Sequence, residues 1–178
     1  MTEPRHPAIP SSINVAEAVS QLRQFSGPLA AAQLPRLTEA VLALEGPMTV
    51  RLRCLDDIGS LGRVAGQLQG QVQLTCQRCL QAMSWPLAAD ADWTLVASEA
   101  EEERLLDSCD PVLIHEGQLA LHEAIEDELL MALPIAPMCA LENCPNKSRA
   151  NDGEVGDNRR PGEARPSPFA ALKGQIKR

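Results

Sequence analysis

Alternating apolar and polar residues are the main pattern between residues 37 and 98. Successive side chains of a strand point to opposite faces, so a period of two predicts strands that each bury one face. We expect five such strands, around Val41 and Leu44, at 50–54, at 61–68, at 71–76 and at 85–97, with turns at Gly46-Pro47, Asp57-Ile58-Gly59 and Gly70. The pattern predicts an antiparallel meander that forms a barrel-like or sandwich sheet.

Two further segments have helical spacing. Asn14 is followed three residues later by Glu17, which is the pattern of a helix cap. The predicted N-terminal helix ends at Gly27-Pro28, and its apolar face holds Val15, Ala18, Leu22 and Phe25. A second, acidic amphipathic helix is predicted at 119–133, before Pro134 and Pro137, with Leu121, Ile125 and Leu129 on one face. A short strand at 111–114 completes the prediction, and the fold class is α+β.

The composition changes after Cys144. Residues 146–166 are rich in Gly, Pro, Asn and charge, and they cannot bury enough apolar surface to become ordered. Residues 168–178 regain helical apolar spacing at Phe169, Leu172 and Ile176. We therefore expect a single α+β domain at 1–145, followed by a flexible linker and a short basic tail helix at 146–178.

Two classes of location are excluded by the apolar pattern. No apolar run approaches the roughly 20 residues that cross a bilayer, and the N-terminus lacks the basic and apolar regions of a secretory signal. A cytoplasmic protein without a membrane partner is expected.

Charge is unevenly distributed along the chain. The formal net charge is -8, and residues 90–128 contain 13 acidic residues and one basic residue, whereas eight basic residues oppose four acidic ones from Asn146 onward. A broad nucleic-acid cradle is therefore unexpected, because phosphates attract clustered cations. Two Trp, two Phe and no Tyr are also too few for a base-stacking sheet. Any RNA role should be indirect or confined to a short basic segment.

The six cysteines include two closely spaced pairs. Cys76 and Cys79 are separated by two residues, and Cys139 and Cys144 by four. Four thiolates with these spacings favour a tetrahedral zinc site. One alternative is a set of free thiols, with Cys76 facing the core; another is a redox dithiol in which Arg78 lowers a thiol pKa. Cys54 fits a core position on its strand, and Cys109 has no evident partner in the sequence.

Other enzyme signatures are incomplete. His122-Glu123-Ala124-Ile125-Glu126 lacks the second histidine of a zinc-protease helix. Neither a Gly-x-Ser-x-Gly elbow nor a phosphate-binding Gly-Lys-Ser/Thr sequence occurs. A protein without catalytic residues is expected, and a cytosolic thiol oxidoreductase that uses Cys76 and Cys79 is the alternative.

Three segments together resemble the YceD family of large ribosomal RNA subunit accumulation proteins. They are Leu74-Thr75-Cys76-Gln77-Arg78-Cys79-Leu80, the stretch 119–137 with Glu126-Asp127-Glu128-Leu129-Leu130 and Leu133-Pro134-Ile135-Ala136-Pro137, and Pro166-Ser167-Pro168-Phe169-Ala170-Ala171-Leu172. The resemblance implies a non-catalytic factor for synthesis, processing or stability of large-subunit ribosomal RNA. The resemblance implies that Cys76, Cys79 and Cys144 correspond to the cysteines of the family pattern. Cys139 corresponds to a position that is commonly Cys or His. Many relatives have further C-terminal cysteines that this sequence lacks.

The expected partners follow from the resemblance and the charge together. An acidic surface suits a basic ribosomal protein, an assembly factor or the pre-ribosomal large subunit, while the basic tail suits a few salt-sensitive phosphate contacts. Partner binding is assigned to residues of the three motifs and of the tail, namely Arg78, Glu126, Asp127, Glu128, Phe169, Lys173, Lys177 and Arg178.

Overall fold

The computed structural model describes residues 9–57, 59–140, 142, 144 and 145. Its strands are β1 (Ile13–Asn14), β2 (Gln24–Leu29), β3 (Ala43–Leu44), β4 (Met48–Leu55), β5 (Arg63–Thr75), β6 (Ala82–Val96), β7 (Asp110–Leu113) and β8 (Gln118–Leu119). Its helices are α1 (Val15–Ser20), α2 (Pro35–Ala40), α3 (Glu99–Leu105) and α4 (Leu121–Met131), with a 3-10 turn at Ala31–Gln33. The α+β class is confirmed.

One open six-stranded sheet is the centre of the fold. Its strand order is β2-β4-β5-β6-β7, and β3 also pairs with β5. All of these pairs are antiparallel except β6 with β7, which is parallel. The sheet is therefore mixed and open, rather than the purely antiparallel barrel or sandwich that the sequence pattern predicts. A separate two-stranded pair joins β1 to β8.

The predicted turn at Gly70 is wrong, because β5 is one continuous strand of 13 residues. Gly70 pairs with Leu87 in the middle of the long β5–β6 hairpin. A Cβ at this position would overlap the side chain of Met48, which is itself fully buried. Glycine is needed here because β4 packs closely against this position. A glycine inside an alternating pattern can therefore mark a close contact with a neighbouring strand and not only a turn.

The predicted N-terminal helix begins correctly and ends too late. Asn14 caps it, since the backbone N–H of Glu17 donates to the Asn14 side chain at 3.0 Å. The helix ends at Ser20, and Leu22, which has positive φ, is exposed rather than part of an apolar face. Phe25 and Gly27-Pro28 lie in edge strand β2, where a proline is tolerated. Of the first predicted strand, around Val41 and Leu44, only Ala43–Leu44 is a strand, and helix α2 precedes it.

The remaining predictions differ in outcome. The second and fifth strands and the strand near 111 are confirmed by β4, β6 and β7. Helix α4 lies within the predicted acidic helix, and the three predicted apolar residues are fully buried against the sheet in one core with Trp93. The acidic stretch Glu99–Leu105 forms α3, which the sequence analysis did not predict. The linker and tail helix at 146–178 lie outside the described residues, and the domain boundaries stay a prediction.

None of the helices in the described part of the chain combines the length and apolar character that a bilayer crossing needs.

Candidate metal centre

Two cysteines lie in a tight turn at the end of β5. The backbone N–H of Leu80 donates to the carbonyl of Cys76 at 2.8 Å, and the N–H of Cys76 donates to the carbonyl of Gln81 at 2.9 Å. Leu80 adopts positive φ to complete the turn, and β6 begins at Ala82. The turn connects the two longest strands, so the sheet holds both cysteines in place.

A third cysteine arrives from the chain that follows α4. Pro134 and Pro137 prevent the helix from continuing. The N–H of Gln77 donates to the carbonyl of Pro137 at 2.8 Å, and the guanidinium of Arg78 donates to the carbonyl of Cys139 at 2.8 Å. These bonds connect the segment after α4 to the turn. They bring Cys139 beside Cys76 and Cys79.

The four sulfur atoms lie close enough together to hold one metal ion. The Sγ atoms of Cys79 and Cys139 are 3.8 Å apart, and the Sγ atoms of Cys76, Cys79, Cys139 and Cys144 all lie within 4.8 Å of one another. Zn–S bonds of about 2.3 Å in a tetrahedron place the sulfurs about 3.8 Å from each other. The donor set therefore fits zinc, and the structure brings together all four residues that the sequence analysis assigned to the metal.

The surroundings of Cys76 favour the thiolate form that binds metal. Backbone N–H groups of Cys139, Cys79 and Arg78 donate to its sulfur, the first at 3.3 Å, and they lower the pKa of the Cys76 thiol to about 6. Hydrogen bonds from backbone N–H groups are the usual supporting contacts of cysteine ligands. A thiol that is already deprotonated near neutral pH releases fewer protons when a metal binds.

The redox alternative has no support. A redox Cys-x-x-Cys pair opens a helix that lowers the pKa of one thiol, whereas the turn at Cys76 leads into strand β6. Cys139 and Cys144 also complete a set of four sulfurs, which is typical of a closed structural site. Of the other cysteines, Cys54 is buried in the core as predicted, and Cys109 is half-buried near the carbonyl of Leu105.

The carboxylates predicted to bind a partner have partners inside the protein. Glu126 is 3% exposed and accepts the backbone N–H of Leu37 at 2.9 Å and Nε of Arg36 at 3.0 Å. Asp127 accepts Nη1 of Arg36 at 2.6 Å, and Glu128 accepts the indole N–H of Trp93 at 3.0 Å. These bonds connect α4 to α2 and to β6.

Sequence reasoning missed Arg36. Its guanidinium bridges two carboxylates and the carbonyl of Glu123 on α4. It lies 90 residues from Glu126. The only local signal is its place after Pro35 at the start of a helix, and nothing in that signal indicates a distant acidic partner. The assignment of Arg78, Glu126, Asp127 and Glu128 to partner binding stays a prediction, and Phe169, Lys173, Lys177 and Arg178 lie outside the described residues.

An acidic groove of about 240 Å³ lies between α3, β7 and α4. Its carboxylates are those of Glu102, Asp110, Asp127 and Glu128, and Trp93 and Met131 contribute apolar surface. Burial and the nearby charge of Asp92 raise the pKa of Asp110. Asp127 is paired with Arg36 and Glu128 accepts the indole N–H of Trp93, while Glu102 and Asp110 have no ion pair among the described residues. The groove is therefore a negative region in which a cation would be stabilised.

Comparisons with known proteins agree with the sequence motifs. A family model described as "Large ribosomal RNA subunit accumulation protein YceD" matches residues 64–174. A protein of that name from Haemophilus influenzae is 29% identical over 165 residues, which cover 92% of this chain and 94% of the relative. No solved structure gives a significant match. Because the family model covers well over half of the chain, including the cysteine turn and α4, the protein belongs to the YceD family.

Proposed function

We propose that the protein is a non-catalytic factor that supports the accumulation of large-subunit ribosomal RNA in the cytoplasm. In this proposal it holds a basic ribosomal protein of the pre-ribosomal large subunit on its acidic surface. Membership of the YceD family supports the ribosomal role, and the name of the Haemophilus influenzae relative refers to the same process. The acidic groove is the observation that carries the choice of partner.

The groove has the charge and shape expected for lysine or arginine side chains. Exposed carboxylates of Glu99, Glu101 and Glu103 on α3 extend its negative field, and burial together with the charge of Asp92 raises the pKa of Asp110, so its charged form is disfavoured. A guanidinium in contact with Asp110 and Glu102 would stabilise the charged forms of both carboxylates. Contacts of this kind speed up association and are weakened by salt.

Zinc in the four-cysteine site would act as a structural clamp. Cys76 and Cys79 belong to the β5–β6 turn, and Cys139 belongs to the chain that leaves α4. When bound, the metal cross-links these segments, and it has no open position for catalysis in a four-sulfur set. The clamp would hold α4, one wall of the acidic groove, against the sheet.

A pull-down with the full chain tests the proposal. The immobilised protein is incubated with pre-ribosomal fractions at about 50 mM and 200 mM salt, and captured proteins are identified by mass spectrometry. A groove variant combines Glu102→Gln with Asp110→Asn, and a matched control combines Glu39→Gln with Asp56→Asn, two exposed carboxylates on other elements.

We expect basic large-subunit proteins to be captured at low salt by the wild type and by the control, and to be lost from the groove variant. Asp110→Asn should also leave folding stability unchanged or slightly raised, because it removes a carboxylate whose charged form is disfavoured by the fold. Capture of no basic ribosomal protein at low salt, or equal capture by the two variants, would overturn the proposal.

A further inference from the structure

The outer face of the sheet differs in charge from the acidic helices. Two cross-strand rows can be read from the register: Ser26, Arg51, Gln67 and Asp90 lie opposite one another in one row, and Gln24, Arg53, Ala65 and Asp92 in the next. These side chains surround an open depression of about 710 Å³. Small residues at positions 26 and 65 leave space between the longer side chains.

Arg51 and Arg53 are the unusual members of this surface. They point to the same exposed face of β4, about 7 Å apart along the strand. In the described part of the chain, neither guanidinium has an ion pair or a hydrogen bond. Their direct neighbours across the sheet are uncharged, so two like charges stand side by side without compensation.

The two carboxylates in these rows, those of Asp90 and Asp92, already accept hydrogen bonds from other side chains of the sheet. Asp92 accepts the guanidinium of Arg63, and Asp90 accepts the side-chain amide of Gln67 at 3.2 Å. Both carboxylates lie on β6, two strands away from the arginines, which is about 10 Å. That distance is about one Debye length at 0.1 M salt, so the carboxylates weakly offset the field at Arg51 and Arg53.

A stripe of glutamines continues from the arginines along β5. Gln67, Gln69, Gln71 and Gln73 occupy alternate positions on the outer face. The β6 residues opposite the last three are Ala88, Pro86 and Ser84, none of which rises far above the sheet. Gln67 donates to Asp90, and Gln73 donates to Glu45 at 3.0 Å at the far end of the stripe. The side-chain amides of Gln69 and Gln71 therefore offer donors beside the two guanidinium groups, a combination that suits phosphates and hydroxyls.

The outer face has no aromatic side chain among the described residues. Phe25, Trp85 and Trp93 all have the parity of the inner face, where Phe25 and Trp93 are buried. Single-stranded RNA is usually held by bases that stack on aromatic rings. Paired RNA keeps its bases stacked inside the helix and is recognised through phosphates and 2′-hydroxyl groups.

We propose that this outer face, centred on Arg51 and Arg53, docks on the backbone of paired RNA. The two guanidinium groups would contact neighbouring phosphates of one strand, and the glutamine stripe would meet the 2′-hydroxyl groups beside them. In the proposed function the acidic groove binds a basic protein; the outer face of the sheet would be a second surface, which binds RNA. Binding at this face does not depend on the acidic groove.

The test measures binding of the full chain to an RNA hairpin of about 16 base pairs by fluorescence anisotropy over a range of salt concentrations. The variant is Arg51→Gln with Arg53→Gln. The matched control is Arg104→Gln with Arg23→Gln, which removes the same charge from two exposed arginines outside this face. Circular dichroism checks that each variant is folded. A single-stranded RNA of the same composition and a DNA duplex of the same sequence are the comparison ligands.

We expect the double variant to bind the hairpin roughly tenfold to a hundredfold more weakly near 0.1 M salt, and the slope of log K against log salt to fall by about two. The control should bind like the wild type, and the hairpin should be preferred over both other ligands. Equal affinities for the double variant and the control would overturn the proposal, since the basic tail would then suffice. Tighter binding of the single strand or of the DNA duplex would also overturn it.

Discussion

The buried carboxylate of Glu126 provides the sharpest test of how α4 is held. Its Oε1 accepts the N–H of Leu37, a fully buried residue, and its Oε2 accepts Nε of Arg36. Glu126→Ala removes both acceptors. A buried N–H without an acceptor costs about 1–3 kcal/mol, and the ion pair adds at most about 1 kcal/mol because the Arg36 side chain is 48% exposed.

We therefore expect Glu126→Ala to lower the free energy of unfolding by about 3 kcal/mol, or Tm by about 10 °C for a chain of this size. Glu126→Gln should cost about 1 kcal/mol, because its amide oxygen can still accept the N–H of Leu37 while the charge is lost. Glu123→Gln, an exposed change one turn earlier on α4, is the control and should stay within about 0.5 kcal/mol of the wild type.

Urea unfolding followed by tryptophan fluorescence measures these differences, since Trp93 is buried beside α4 and bonded to Glu128. Zinc is kept at constant concentration so that metal binding contributes equally to each variant. If Glu126→Ala unfolds within about 1 kcal/mol of the wild type, the carboxylate does not hold α2 against α4, and the reasoning fails.

Three more predictions concern the metal, the pH dependence and the sheet. Cys139→Ser should reduce bound zinc from one per chain to a small fraction by elemental analysis, and a chelator should destabilise the wild type more than this variant; equal zinc content would contradict the site. Arg63 lowers the pKa of Asp92, so this pair stabilises the fold above the ordinary aspartate pKa and loses its effect as pH falls through the lowered value. Asp92→Asn should therefore cost a few tenths of a kcal/mol at pH 7, since both side chains are about half exposed, and the difference should close once the pH falls below the lowered pKa of Asp92; a difference that is constant with pH would count against it. Gly66→Ala should cost about 2–3 kcal/mol in urea unfolding, because the added methyl overlaps the carbonyl oxygen of Arg51, and a neutral result would show that β4 moves aside.

Most strands of the sheet were predictable from the alternation of apolar and polar residues. The errors of that prediction have identifiable physical causes. A glycine that interrupts the alternation predicts a turn at Gly70. In the fold, the missing side chain of Gly70 leaves space for Met48. The parallel pairing of β7 with β6 depends on α3, which crosses from the end of one strand to the start of the other. The acidic residues of α3 gave no helical apolar pattern, because none of its side chains is buried.

The sequence predicted which residues belong to the candidate site. It did not predict which distant residues they contact. Cysteine spacing alone indicated which side chains could bind zinc, and the resemblance to the YceD family pointed to the same residues. The Glu126-Asp127-Glu128 motif was visible too, but its bonds to Arg36, Leu37 and Trp93 were not, because those partners are far away in sequence.

What the sequence by itself determined is therefore local: the alternating faces of the strands, the apolar stripe of α4, the helix cap at Asn14 and the composition of the cysteine set. These properties depend on a period or a spacing of a few residues, which the chain carries wherever it lies. Only the tertiary structure decided that Cys139 meets the β5–β6 turn, that Glu126 is buried, and that Arg51 and Arg53 have uncharged direct neighbours on the adjacent strands. Contacts of this kind join residues as many as 113 positions apart, and the packing of the whole core selects them.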